Sequence, residues 1–214
     1  MNLHKYKQAR YHFFKWRYEL NFIHKVTLAL GFACLTGLLA QLRLYLPWTP
    51  VPITGQVFAV FLTGILLGKY WGGISQCMYA GLGLMGLPWF AGFNGGLAYI
   101  AGPTGGYIIG FILAAFFLGS CTDRYVRSRY FFSMFALMLF ATFILIYVPG
   151  LIWLYLWLGT SIGIIELLIL GMVPYITVDI IKAALAAAIG KSITPKRAFN
   201  GEVDTDKLKS WHIP

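Results

Sequence analysis

VPYITVDIIKAALAAAIG, from Val173 to Gly190, is an apolar run interrupted by two opposite charges, Asp179 and Lys182. At 1.5 Å per residue it spans about 27 Å, just enough to cross the hydrocarbon of a bilayer. Side chains three positions apart share one helical face. An ionisable group at that depth costs several kcal/mol, so it points into the helix bundle and has a task there. The pair is either structural glue or a polar ligand site, and we read it as the latter.

The rest of the chain agrees with a membrane setting. Of its 214 residues, 59% are hydrophobic and 11% charged, with mean hydropathy +0.72; a soluble domain carries about a quarter charged residues. The net charge of +10 is not that of a nucleic-acid binder. Lys5, Lys7, Arg10, Lys15, Arg17 and Lys25 precede the first apolar run, Arg124, Arg127 and Arg129 form one short loop, and Lys191, Lys196, Arg197, Lys207 and Lys209 follow the last. That asymmetry predicts cytoplasmic segments, both termini included. Cys34, Cys77 and Cys121 have no disulfide or metal spacing and read as small buried residues. The N-terminal stretch is too basic and long for a cleaved signal, and Tyr11–Phe22 suits a helix lying on the membrane surface.

The predicted fold is an all-α integral membrane protein of six transmembrane helices with Gly/Pro-rich outer loops. The spans are expected near 25–46, 54–67, 73–86, 105–121, 130–147 and up to Gly190, with a tight turn at Gly68–Gly72. Residues 1–24 form a basic extension, 25–192 the membrane domain, and 193–214 a polar tail expected to be mobile. Between Pro149 and Val173, PGLIWLYLWLG and SIGIIELLILGM either extend spans five and six or fold as separate helices.

Irregular backbone collects in three connections: Pro47–Gln56, Gly86–Tyr107 and Trp153–Trp157. Non-helical chain at membrane depth must be buried in protein or line a cavity. The Gly105-Gly106 pair is positioned to aim free N–H groups at an anion. Trp89, Phe90, Tyr99, Tyr107, Trp153 and Trp157 offer flat apolar walls. Gln56, Ser75, Gln76, Tyr79 and Glu166 are further polar candidates, each more simply an interhelical hydrogen bond. No HExxH, GxSxG or Cys/His cluster is present, and His4, His12, His24 and His212 lie in the basic termini. Gly190-Lys191-Ser192 imitates the end of a nucleotide-binding loop, but Leu185 stands where its first glycine belongs. No cofactor and no metal is expected.

The blocks TPVPITGQVFAVFLTGILLGKYWGG, GLPWFAGFNGGLAYIAGPTGGYIIGF and VDIIKAALAAAIG resemble the hallmarks of the BioY biotin transporters, over about Lys25–Gly190. The resemblance implies a six-helix substrate-binding subunit (S component) of an energy-coupling factor (ECF) transporter. Such a subunit works with a membrane coupling subunit and two ATPase subunits, and topples in the membrane to deliver biotin. It also implies a docking seam of small residues on the first span, where Ala29 and Ala33 fit the pattern; Gly64/Gly68 and Gly106/Gly110 share the spacing. For biotin, Asp179 would accept from the ureido N–H groups and Lys182 would donate to the ureido oxygen or balance Asp179. Asn94 with the N–H groups of Gly95 and Gly96 would hold the carboxylate. Tyr79, Trp89 and Phe90 would pack on the rings, Tyr107 would belong to the substrate site as well, and Gln56 would approach from the Pro47–Gln56 lid. Alternatives are a solitary biotin facilitator, an S component for another vitamin, and a membrane enzyme using Asp179 or Glu166.

Overall fold

The computed structural model describes residues 3–159, 161–196 and 202. Helix α1 (Leu3–Glu19) lies at one end of a helical bundle made of α2 (Phe22–Ala40), α3 (Gln56–Leu67), α4 (Lys69–Leu84), α6 (Gly105–Arg124), α7 (Phe131–Phe140), α8 (Tyr147–Leu158) and α10 (Val173–Ile193). Two short helices, α5 (Leu97–Ile100) and α9 (Ile164–Gly171), and a two-residue antiparallel ribbon, β1 (Arg43–Leu44) with β2 (Ile53–Thr54), sit at the other end. Four helices are long and apolar enough to cross a membrane among the described residues: 22–40, 105–124, 131–158 and 173–193. Helix α3, with 12 residues, is shorter.

Several boundaries depart from the sequence expectation for physical reasons. The first helix stops at Ala40 rather than near Leu46, because Gln41 turns its amide to the carbonyls of Gly37, Trp89 and Phe90 (3.1, 3.3 and 3.0 Å) and the chain then pairs as β1. The turn before α4 needs only Gly68, at φ 80°. The Asp123 carboxylate accepts the free N–H of Lys69 at 2.8 Å, so α4 begins there and not at Gly73. Between Pro149 and Val173, the first segment continues the fifth helix to Leu158 while the second forms the separate α9. A π-helical stretch, Ala141–Ile146, joins α7 to α8. Its wider turn eases the clash that Pro149 would otherwise make with the preceding turn.

Small residues set the packing. A Cβ on Gly64 would lie 2.7 Å from the Ala115 carbonyl, and one on Gly119 would lie 2.4 Å from Gly68. Gly110 lets the Ile146 backbone approach (2.6 Å), and Gly106 does the same for Pro149 (2.3 Å). These glycines bring α3, α4 and α8 onto the central α6. Gly106 is therefore a packing residue, not an anion nest. Ala29 and Ala33 are fully buried, and the hydroxyl of Ser75 on α4 donates to the Ala29 carbonyl at 2.7 Å. The expected docking seam is thus spent inside the subunit, because α4 already occupies it.

At the basic end, α1 caps other helices. Arg17 donates to the last carbonyls of α3, Ile65 and Leu66 (3.2 and 3.1 Å), and pairs with Asp123 at 2.5 Å. Tyr6 and Arg10 reach Ser192 and Lys191 carbonyls at the end of α10 (2.6 and 2.7 Å). Cations at helix C-termini meet the negative end of the dipole. Phe14, buried, lies beneath both Arg17 and Arg129. Arg129 pairs with Glu202 at 2.7 Å, both buried, and Lys196 donates to the Arg129 carbonyl. These tail residues are held rather than mobile; the rest of the predicted tail lies outside the described residues.

Candidate ligand-binding site

At the end away from α1, the ribbon and short helices partly cover a small cavity of about 50 Å³. Helix α10 supplies Tyr175, Asp179 and Lys182, one helical turn apart. The ammonium of Lys182 lies 2.7 Å from Asp179 Oδ1 and donates to the Thr54 carbonyl at 2.5 Å. The Tyr147 hydroxyl donates to the other carboxylate oxygen at 2.7 Å. Asp179 is 4% exposed, and a carboxylate so buried is stable only with such partners.

The geometry leaves capacity on both sides. Each oxygen of Asp179 takes one donor and keeps a lone pair, and Lys182 spends two of its three N–H groups. The cavity therefore presents an acceptor beside a donor with no net charge. Val57, Ile108, Phe111 and Ile146 line the rest with apolar surface. The arrangement suits an apolar body bearing a flat neutral group with adjacent donors and acceptors.

The covering loop is tied down from α9 and α10. The Tyr175 hydroxyl donates to the Val51 carbonyl (2.7 Å) and meets the Thr49 hydroxyl (2.9 Å), while Thr49 donates to the Leu170 carbonyl (2.6 Å). Tyr107 donates to Gly171 (2.7 Å). The loop lines the cavity, and α10 grips it at both Tyr175 and Lys182.

Of the residues expected from sequence, Asp179, Lys182, Gln56 and Tyr107 line the cavity. Gln56 receives the Thr54 hydroxyl (2.7 Å) and donates to Tyr79 (2.6 Å). Tyr79, Trp89 and Phe90 are not cavity walls. They form a buried cluster behind Gln56, with ring centroids 5.4 and 5.3 Å from Tyr79 and the indole N–H on the Tyr79 carbonyl. Gly96 spends its N–H on the Gly83 carbonyl (2.7 Å), and Gly95 is pressed against Gly86 and Leu87, where a Cβ would lie 2.6 Å from a carbonyl. Their task is to close the C-terminus of α4. Asn94 stands outside the cavity lining, donating to Ala91 (2.8 Å). Glu166 is exposed on α9 and takes no part.

Sequence reasoning missed Thr54, Tyr147 and Tyr175. Thr54 acts through its main chain, which no side-chain motif marks. Tyr147 follows an apolar run in which only the π-turn, seated on Gly110, sets its direction.

Membrane-length helices holding a buried ion pair beside a partly covered cavity define a multi-pass membrane protein with an internal polar site. Residues 8–199 match the BioY family model, and the chain belongs to the BioY family. The chain is 47% identical over 157 residues to the probable biotin transporter BioY of Methanothermobacter thermautotrophicus, covering 72% of this chain and all of that one. It is 39% identical to the biotin transporter BioY of Thermotoga maritima, over 67% of this chain and 81% of that one. The crystal structure of the S-component for biotin from an ECF-type ABC transporter superposes with TM-score 0.71 at 30% identity, covering 79% of this chain and 89% of that one.

Proposed function

We propose that this protein binds biotin and takes it up across the cytoplasmic membrane as the substrate-binding subunit of an ECF-type transporter, toppling to deliver it. The observation that carries this reading is the Asp179–Lys182 pair, held by Tyr147 and Thr54 beside the partly covered cavity of a BioY-family chain. A ureido ring has two N–H donors and one oxygen; Asp179 receives a donor and Lys182 supplies one to the oxygen. Isoleucine, valine and phenylalanine walls suit the thiophane ring and the methylene chain.

In this reading α2, α3, α4, α6, the α7–α8 helix and α10 are six crossings, two of them short because the cavity and its covering loop occupy the outer leaflet. Both termini and the α1 cap face the cytoplasm, in keeping with the basic residues there. A coupling subunit and two ATPase subunits supply the energy. Their docking surface uses faces other than Ala29 and Ala33.

The test is equilibrium binding of labelled biotin to the purified protein in detergent, with unlabelled biotin, thiamine and riboflavin as competitors. Saturable binding displaced by biotin alone supports the reading. Folded protein that binds none overturns it.

A further inference from the structure

The cavity pair is neutral, yet biotin carries a carboxylate, and this inference rests on the biotin reading. In the connections at that end of the chain, residues 41–55, 85–104 and 159–172, Arg43 is the sole Lys or Arg. No carboxylate pairs with it among the described residues. Its guanidinium touches Gln41 Oε1 at 3.3 Å and lies over Tyr45, 5.6 Å from the ring centre.

Arg43 stands on the ribbon next to a residue of the cavity lining, Thr54. The two are paired across the ribbon, and Lys182 holds the Thr54 carbonyl. The facing loop doubles back, with Phe90 bridged to Asn94 and with Gly92 and Phe93 at φ 90° and 56°. Positive φ at a phenylalanine costs about 1 kcal/mol or more, and here it turns Asn94 toward Arg43. Around the unfilled Cβ position of Gly92 stand Asn94 Nδ2 at 2.7 Å, Arg43 Nη1 at 3.0 Å and Tyr45 Oη at 3.3 Å. Asn94 uses one amide hydrogen on Ala91 and keeps the other. Tyr99, a cavity wall, connects this cluster to the interior: its phenol, pushed up chiefly by burial and eased first by a hydrogen bond with Thr104, also feels Tyr45 and, least, Arg43.

We propose that Arg43, with Asn94 and Tyr45 beside it, receives the carboxylate of the ligand, while Asp179 and Lys182 take the neutral ring. A guanidinium can meet a carboxylate with two parallel N–H bonds, a geometry an ester cannot match in charge. Arg43 is then the residue that selects the free acid.

The test compares biotin with biotin methyl ester as competitors of labelled biotin on wild type, Arg43→Gln and Arg43→Lys. Wild type is expected to favour the acid by about tenfold. Arg43→Gln should bring acid and ester within about twofold of each other with the ester unchanged, and Arg43→Lys should keep part of the preference. Wild type that binds both equally, or Arg43→Gln that keeps the full preference, overturns the assignment and leaves the biotin reading standing. A parallel loss of both ligands in Arg43→Gln makes Arg43 a loop anchor and also overturns it. Wild type that binds neither overturns the biotin reading itself, and this assignment with it.

Discussion

The ammonium of Lys182 donates to the main-chain carbonyl of Thr54 at 2.5 Å, so the side chain that completes the buried pair also holds the loop above it. Replacing Lys182 by Met should therefore do two things. Biotin affinity should fall by at least about tenfold, roughly 1.4 kcal/mol, and the amides of residues 47–55 should exchange faster with solvent. Hydrogen exchange followed by mass spectrometry checks the second; an unchanged loop would show that Tyr175 alone suffices to hold it.

Asp179 and Tyr147 form one unit, since the phenol occupies the carboxylate oxygen that Lys182 leaves open. Tyr147→Phe should weaken binding by about tenfold, the order of a hydrogen bond to a charged group. Asp179→Asn should weaken it more, because the lysine is left buried without its counter-charge. The double variant should cost less than the two single losses combined. Additive losses in a binding-based cycle would mean that Tyr147 acts elsewhere.

Gly110→Val should disturb the same unit from a distance. The added atoms meet the Ile146 backbone at 2.6 Å, in the π-turn that aims Tyr147. A lower melting temperature and lost biotin binding are expected. Gly31→Ala, with open space around the new methyl, should keep both. Tight binding by Gly110→Val would show that the π-turn is not required.

Ala29→Trp with Ala33→Trp would leave the cavity lining untouched, yet both positions are covered by α4. Overpacking there should lower thermal stability and disperse the protein on size exclusion. A well-folded, stable double variant would mean that α2 separates from α4 more readily than their packing implies.

Lys196 gives a pH dependence at the basic end. Burial, then Arg10, Lys191 and Arg129, lowers it from 10.5 to about 8. Below about pH 8 both folded and unfolded chains hold the proton, and the penalty stands in full. Between about 8 and 10.5 the unfolded chain holds more protons, so stability rises with pH. Tyr18, raised to about 12 by burial and then Asp123, opposes this above 10, where the unfolded chain loses its proton first. Melting temperature in detergent should thus climb from pH 8 to pH 10, and Lys196→Met should flatten the climb. A flat wild-type profile would place Lys196 in water.

Charges are conspicuous in apolar sequence, which is why Asp179 and Lys182 were legible before any coordinates. Gln56, a neutral amide, was legible from its place at the end of a proline-rich connection. Aromatics are not: Trp89 and Phe90 in a buried stack and Tyr107 in a cavity wall look alike when only neighbours along the chain are visible. Glycine pairs were misread in the same way. Gly95-Gly96 and Gly105-Gly106 suggest anion nests locally, whereas Gly95 and Gly105 press on nearby loop backbone, Gly96 takes a left-handed turn and Gly106 admits Pro149 of α8. The small-residue patterns at Ala29/Ala33, Gly64/Gly68 and Gly106/Gly110 all proved to be internal seams, since spacing alone does not say which helix fills a groove.

The α1 cap also imposes an order on biosynthesis. Arg17 finds Leu66 49 residues later and Asp123 106 residues later, and Tyr6 meets Ser192 only after 186 more residues have been made. Those partners are made one after another, so Arg17 can be satisfied before α10 exists, whereas Tyr6 and Arg10 wait for its end. Closure of the basic end therefore needs both ends of the sequence, and α10 completes it.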